Sequence, residues 1–450
     1  MPGNRGEPAP PGLAQAGSSG TAGDVFGLYI HWSYCVRICP YCDFNVYKSR
    51  SPDPELWRRA LQSSLKAHHA RWPNLRLASI FFGGGTPSLM PPGLVRDVID
   101  TATALWPAAP GPLEVSLEAN PGSAERARFA DFAAAGVNRL SLGVQALDDD
   151  ALALLGRDHS AAEALAALDT ARACFAQVSA DLIYARPDQT PAAWGAELDA
   201  MIALGVDHLS LYQLTIEPGT AFAAKAARGT IRPPGPDRAA DLYALTQDRT
   251  AAAGLPAYEI SNHARPDAES RHNRLYWQGD WYAGIGPGAH GRLPPLDAGP
   301  TAEPGSETGT ATTSGATSGA ALATLAHRRP QAWLDAALGQ ASQESGGRGA
   351  AGAPDATAPW RGATGLAEVE PLDARARGEE MVMLGLRLAE GLDLDALARR
   401  LGPAAERLLP GPTLDRAAAA GLVERHGRRL VIPAHRRALT DAIATRLLTD

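Results

Sequence analysis

Hydrophobic and polar positions between residues 26 and 212 alternate between two textures. Short runs rich in β-branched, aromatic and leucine residues predict strands at 27–31, 79–82, 113–117, 139–143, 178–184 and 208–212. Between them, Ala- and Leu-rich stretches such as 54–69, 124–135 and 161–175 carry a helical pattern. Strict strand–helix alternation implies parallel strands joined by right-handed crossovers. Six such units suit a doubly wound sheet or a barrel. Polar residues close to the strand ends favour the barrel: Glu118, Gln145 and Gln213 follow or end apolar runs. Strand C-termini line the mouth of a barrel, so these groups would converge on one pocket. Asp181 lies inside its own strand and fits that pattern less neatly.

Farther along, the texture breaks twice. Residues 294–320 and 339–364 are dominated by Gly, Ala, Thr, Ser and Pro, too little apolar surface to order themselves. We read the first as a loop insertion and the second as a linker. Helical patterns follow at 375–389 and 414–421. Two short runs, 422–424 and 429–432, flank the turn signal His426-Gly427, and a last helix covers 435–448. Helix, helix, hairpin and helix resembles a winged-helix module. The expected organisation is a leader over 1–24, a barrel over 25–292, an insertion and linker over 293–370, and a winged-helix-like α+β domain over 371–450.

Charge narrows the function classes. With 49 acidic against 42 basic residues the net charge is −7, which argues against a main task in nucleic-acid binding. No apolar run approaches the roughly 20 residues of a transmembrane helix. Residues 1–24 lack the apolar core of a signal peptide, so we expect a disordered leader on a cytoplasmic protein. Three of the four cysteines fall within eight residues, a spacing for metal or cluster binding in a reducing compartment rather than for disulfides. Cys174 stands alone in a helical stretch and reads as a structural thiol.

The clustered motif is Cys35-Val-Arg-Ile-Cys39-Pro-Tyr-Cys42, directly after the first strand. Thiolates suit iron–sulfur clusters and zinc alike. Three of them leave one iron of a [4Fe–4S] cubane open to a small molecule. The competing reading is a Cys3His zinc site completed by His31.

Here the chain resembles the radical-SAM superfamily, whose signature is C-x3-C-x2-C after the first strand. Surrounding segments resemble the branch that contains oxygen-independent coproporphyrinogen dehydrogenase and the HemW-type haem chaperones. They are Tyr29-Ile-His31, Phe82-Gly-Gly-Gly-Thr-Pro-Ser88, Glu118-Ala-Asn-Pro121, Gly143-Val-Gln145, Leu155-Gly-Arg157, Asp181-Leu-Ile-Tyr184 and Gly284-Ile-Gly-Pro-Gly-Ala-His290. The resemblance implies a partial (β/α)6 barrel of α/β class with a C-terminal winged-helix-like domain. It also implies a [4Fe–4S] cluster on Cys35, Cys39 and Cys42 and S-adenosylmethionine beside it. Tyr29, Gly84 and Glu118 match positions near the cluster-bound cofactor, and Tyr41 one that flanks the adenine. Gly85, Thr86, Gln145, Arg157 and Asp181 match the substrate side. The glycines at 83–85 would let backbone approach the ligand.

Two features separate the relatives. The dehydrogenase carries a further cysteine two residues after the third, and this chain has Phe44 there. The segment His272-Asn-Arg-Leu-Tyr-Trp277 resembles the H-N-x-x-Y-W stretch of the haem chaperones, which implies haem contact through His272 and Trp277. The leading expectation is a chaperone that binds haem and passes it to an acceptor, a membrane-associated respiratory enzyme by implication. Coproporphyrinogen III dehydrogenase and a radical-SAM methyltransferase are the alternatives. Two departures from the family pattern stand out: Tyr184-Ala-Arg-Pro187 in place of Y-G-L-P, and His31-Trp-Ser-Tyr34 in place of H-I-P-F.

Overall fold

The computed structural model describes residues 25–48, 52–295, 320–340 and 363–449. The expected leader 1–24 and most of both low-complexity stretches lie outside these residues. Six parallel strands carry the barrel: β1 (Val25–Trp32), then, after a short pair β2 (Tyr34–Cys35) and β3 (Tyr47–Lys48), β4 (Arg76–Gly84), β5 (Glu114–Ala119), β6 (Arg139–Gln145), β7 (Gln177–Tyr184) and β8 (His208–Gln213). All six coincide with the runs read from the sequence, extended by one to three residues at most ends. β9 (Asn262–Ala264) caps one edge antiparallel to β8. β10 (Trp281–Ile285) joins β1 in parallel on the other side. β11 (His290–Leu293), β12 (Ala321–Ala326) and β13 (Leu366–Leu372) extend that side antiparallel. The edge strands β9 and β13 do not pair, so the eleven-stranded sheet is an open, partial barrel.

Residues 293–370, expected as insertion and linker, therefore supply two sheet strands and the helix Pro330–Ala337. These elements were hidden by the low-complexity composition on both sides of them. Trp333 of that helix stacks on Trp57 of the first crossover helix, Pro54–His69, with centroids 5.4 Å apart and planes 16° apart. Trp57 also meets Trp32 of β1 at 4.9 Å. Asp53 caps the crossover helix, and its carboxylate accepts from the Glu55 and Leu56 amides.

The outward face of β1 is Phe26, Leu28, Ile30 and Trp32, all sealed under helices. The period of two puts Gly27, Tyr29 and His31 inward. Most inward positions elsewhere are polar: Ser79 on β4 (beside the apolar Phe81), Glu114, Ser116 and Glu118 on β5, Arg139 and Ser141 on β6, Ser179 and Asp181 on β7, His208, Ser210 and Tyr212 on β8. Asp181 is thus an inward residue one layer below the mouth, which explains its position within a strand. The register between β6 and β7 shifts after Leu142, where Gln145 adopts φ 69°. Ala185, in the turn that departs from the family's glycine, keeps φ 56°, a left-handed conformation an alanine holds only under restraint.

The C-terminal unit starts at the helix Ala374–Gly385, and Asp373 caps it. Its hairpin β15 (Glu424–His426) and β16 (Arg429–Val431) turns at Gly427, φ 63°, and β14 (Leu392–Asp393) pairs on the far side of β16. Helices Leu394–Leu401, Gly411–Ala419 and Thr440–Thr449 complete a separate core around Val382, Leu386, Leu397, Leu430 and Ala444. Leu394–Leu401 was not read from the sequence. Arg292 holds Glu380 at 2.7 Å and Arg274 holds Glu390 at 2.9 Å, tying this unit to the barrel.

Truncating Trp57 removes the ring shared by two helices and β1. Trp57→Ala should lower the unfolding free energy by about 3–5 kcal/mol in urea titration; a loss below about 1 kcal/mol would show that the aromatic stack is not structural.

Candidate cluster and cofactor pocket

The cysteine loop leaves β1 at the barrel mouth and has almost no regular structure. Its two ends are clipped together by the parallel pair β2–β3 and by the Tyr47 amide on the Ser33 carbonyl, 2.7 Å. Inside the loop the Cys42 amide bonds the Cys39 carbonyl at 3.1 Å, which turns the chain between two thiols. The Asn45 amide group donates to the carbonyls of Pro287 (2.9 Å) and Arg328 (2.8 Å). Pro40 accepts from the Phe222 amide at 2.8 Å. The Gly85 and Thr86 amides donate to the Trp32 and Tyr34 carbonyls.

These contacts give the glycine loop a different purpose from the one its sequence implied. A Cβ on Gly84, φ 110°, would meet the His31 ring at 2.5 Å; one on Gly85 would meet the Tyr34 carbonyl at 2.7 Å. Glycine is needed there to pack against β1 and the start of the cysteine loop as much as to face a ligand.

All three thiols line one cavity of about 360 Å³. Tyr41, Gly84, Gly85, Thr86, Glu118, Gln145, Arg157 and Asp181 line it too. Tyr29 is enclosed beneath it, its hydroxyl 2.9 Å from His31 Nδ1. Asn120, Ser141 and Tyr212 also face the cavity and were not singled out from the sequence. A usable signal was present, because an apolar–Ser–apolar triplet marks the inward position on each of β4 to β8.

Two sulfurs already accept hydrogen bonds. Thr86 Oγ1 donates to Cys35 Sγ at 3.4 Å, and Arg157 Nη1 to Cys39 Sγ at 3.3 Å. Arg157 also donates to the Gly143 carbonyl and to Asn120 Oδ1. Burial pushes the Cys42 thiol up to about 11 and raises Cys35 as well; iron coordination deprotonates thiols outright. Among the described residues no three Cys, His, Asp or Glu side chains converge on a point where a single ion would sit. Thiols distributed around a cavity suit a multi-iron group that takes each cysteine on its own iron. The zinc reading fails on His31, whose Nδ1 faces Tyr29 and whose Nε2 lies 3.1 Å from the Asn45 carbonyl. The donor set fits a [4Fe–4S] cluster.

The floor holds two carboxyls of unlike character. Burial, and then the Asp181 charge, push Glu118 up to about 8, while the Gly84 amide at 3.0 Å pulls the other way. Burial raises Asp181 to about 6 against the pull of the Ser210, Ser141 and Ser179 hydroxyls. Of the two, Glu118 holds its proton to the higher pH.

His272 and Trp277 are elsewhere. The helix Arg271–Trp277 plugs the closed end of the barrel, where Glu114 accepts from the Arg271 and His272 amides, both at 3.0 Å. His272 is 1% exposed, with Nδ1 2.8 Å from Ser79 Oγ and Nε2 2.7 Å from the Tyr276 hydroxyl. Both nitrogens are engaged, so the expectation that it ligates haem does not hold in this conformation. Trp277 lies at the junction, under the Arg387 guanidinium at 5.1 Å.

Comparison with known proteins agrees with this geometry. The profile of the Radical SAM superfamily matches residues 29–211, and that of the HemN C-terminal domain matches 372–437. A Mycobacterium tuberculosis protein named heme chaperone HemW is 35% identical over 97% of both chains. The chain belongs to the HemW family of radical-SAM proteins. A mouse protein named radical S-adenosyl methionine domain-containing protein 1, mitochondrial, is 46% identical over 64% of this chain and 65% of its own. The chain thus spans just under two thirds of that relative. Escherichia coli coproporphyrinogen III oxidase (HemN) superposes with a TM-score of 0.69 at 18% identity, over 95% of this chain and 91% of that one, which shows a shared fold. No described helix is long and apolar enough to cross a membrane.

The floor carboxyls make a sign-definite prediction. A carboxyl whose folded pKa is raised stabilises the protein fully below its unfolded value, and that contribution is lost as pH climbs to the folded value. Glu118→Gln should therefore gain on the unmodified protein by at most about 1.4 kcal/mol per pH unit between pH 5 and 8 and stay level above. Parallel urea-midpoint curves for the two proteins would contradict the assignment.

Proposed function

We propose that this protein holds a [4Fe–4S] cluster on Cys35, Cys39 and Cys42, binds S-adenosylmethionine beside it, and uses that site in handling haem or a haem precursor. The supporting observation is that three thiols share a polar cavity in which their sulfurs accept bonds from Thr86 and Arg157. The bound cluster would supply an open iron and one electron. The protein's own residues do the rest. Thr86 and Arg157 place positive dipoles and charge against the sulfurs. Glu118, held by the Gly84 amide, offers a hydrogen-bond donor, and Asp181 offers an acceptor for hydroxyl or ammonium groups. Gly84, Gly85 and Gln145 border the space for the cofactor, with Tyr41 at its side.

For the cargo, the chaperone reading is supported by the full-length relative named heme chaperone HemW and by Phe44, which can neither ligate iron nor relay hydrogen. On this reading haem is bound and delivered to a haem-requiring acceptor, a membrane-associated respiratory enzyme. Contact through His272 then requires the helix Arg271–Trp277 to leave its seat. The second reading is coproporphyrinogen III dehydrogenase. It is supported by the two carboxyls, Glu118 and Asp181, that line the thiol cavity and by the burial of His272 away from it.

Anaerobically reconstituted protein separates them. Supplied with haem, the chaperone develops a Soret band and transfers it to an apo-acceptor; supplied with coproporphyrinogen III, S-adenosylmethionine and reductant, it yields no vinyl product. Vinyl product with stoichiometric 5′-deoxyadenosine would establish the second reading. Cys39→Ser should abolish the cluster's visible absorption while circular dichroism stays unchanged; retained absorption would remove Cys39 from the ligand set.

A further inference from the structure

Two turns at the rim of the thiol cavity hold conformations that their residues disfavour. Gln145 ends β6 with φ 69°, and the Ala146 amide reaches back across it to the Val144 carbonyl at 2.9 Å. That is the rare, strained form of the three-residue γ-turn. Ala185 follows β7 with φ 56°, and Asp188 in the same turn has φ 59°. Strain of this kind persists only where the surroundings over-determine the backbone. The two strands are neighbours, with Gln145 opposite Leu182. Gln145 itself lines the cavity, as does Ile183 of β7.

One carboxylate restrains both turns. Glu197, on the helix Pro191–Ala203, accepts from the Leu147 amide at 2.8 Å, two residues past Gln145. From the other turn it accepts from both terminal nitrogens of Arg186, Nη1 at 3.1 Å, and from Gln189 Nε2 at 3.3 Å. The Arg186 and Glu197 side chains are only 8% and 9% exposed, so solvent does not compete for these bonds. Residues before Gln145 are held separately. Arg157 donates to the Gly143 carbonyl at 3.3 Å, and His159 Nε2 lies 3.1 Å from the Val144 carbonyl. Glu197 supplies the hold on the far side. The Gln145 carboxamide lies across Gly143, where a Cβ would meet its Nε2 at 2.9 Å. The helix that carries Glu197 is seated independently. Its Trp194 stacks on Tyr184 with centroids 5.2 Å and planes 16° apart, and Trp194 Nε1 donates to Thr246 at 2.8 Å. Arg186 stands where the family's Y-G-L-P has leucine, and Ala185 where it has glycine. The guanidinium brings the restraint that a left-handed alanine requires and a glycine does not.

We propose that Arg186 and Glu197 form a buried clamp that fixes the Gln145 turn and so sets where its carboxamide stands in the thiol cavity. Neither side chain lines that cavity. They act through the Leu147 amide and are positioning residues. A carboxamide presents its acceptor and its donors on opposite sides. A rotation of the turn therefore exchanges or withdraws what a ligand meets there. The inference rests on the reading that S-adenosylmethionine occupies this cavity. Removing one partner alone would leave an unpaired buried charge, so a clean test changes both together.

The test uses full-length, anaerobically reconstituted protein. Arg186→Leu/Glu197→Met removes the pair at similar volume and leaves no lone charge. Cluster absorption should be unchanged, because no support of the cysteine loop is lost. Amide exchange at Ala146 and Leu147 should quicken by about tenfold or more. S-adenosylmethionine, titrated against the cluster's paramagnetic resonance signal, should bind about tenfold more weakly. Arg186→Leu/Glu197→Gln keeps an oxygen for the Leu147 amide and should stay within about threefold of the unmodified protein in both measurements. In a Gln145→Ala background the Leu/Met replacement should weaken binding by less than about twofold, because no carboxamide remains to be placed. A pair that only supports the fold would weaken binding equally with and without Gln145. That result, loss of the cluster, unchanged exchange at Ala146 and Leu147, or a Leu/Gln variant as weak as the Leu/Met one would each overturn the clamp. A cluster signal indifferent to S-adenosylmethionine in the unmodified protein would instead refute the cofactor reading, and exchange at Ala146 and Leu147 still decides the clamp.

Discussion

The cysteine loop cannot hold its own shape. Between β2 and β3 it has one internal turn bond, so the geometry of its three thiols is imposed by what surrounds it. Gly85, just after β4, packs against its base at Tyr34, Asn45 ties it to the segment after β10, and the helix Ala221–Ala227 docks on Pro40. That arrangement requires β1, β4 and β10 to be neighbours, which the sheet order supplies. Loss of any one support would let the thiols diverge, and a cluster held by three ligands tolerates little divergence. The barrel's polar interior, the fold of the crossover helices and the antiparallel extension on the β10 side all serve to keep this loop in place.

Much of this could be read from residues alone. The six parallel strands are short apolar runs separated by helices, and local pattern suffices to find them. The cavity-lining residues Glu118, Gln145, Arg157 and Asp181 stand in motifs whose strand positions bring them together at one end of a parallel sheet. What stayed hidden depends on distant contacts. His272 looks like an exposed ligand until Ser79, 193 residues earlier, is seen against its ring nitrogen. Among the described residues β13 pairs only with β12, and β12 with β11 and β13, and their neighbours in sequence are Gly- and Ala-rich, so local pattern masked them. The purpose of Gly84 is equally non-local, because the obstacle to a side chain there is a ring on β1.

A buried polar interior is costly unless every group is paired. Around Asp181 the groups are paired in series. Serines on adjacent strands answer Asp181, histidine answers serine, tyrosine answers histidine, and an amide on the plug helix ends the series. The mouth and the closed end of the barrel are thereby linked through hydrogen bonds as well as through packing. The same need for partners encloses His272, held by Ser79 and Tyr276 at one end of the molecule while the thiols lie at the other.

The central claim is that Cys35, Cys39 and Cys42 hold a cluster with one iron open to S-adenosylmethionine. Electron paramagnetic resonance of the reduced, anaerobically reconstituted protein tests it directly. The account predicts about four irons per chain, a [4Fe–4S] signal, and a change in that signal when S-adenosylmethionine is added. Bound zinc in place of iron, or a cluster signal that S-adenosylmethionine leaves untouched, would contradict it.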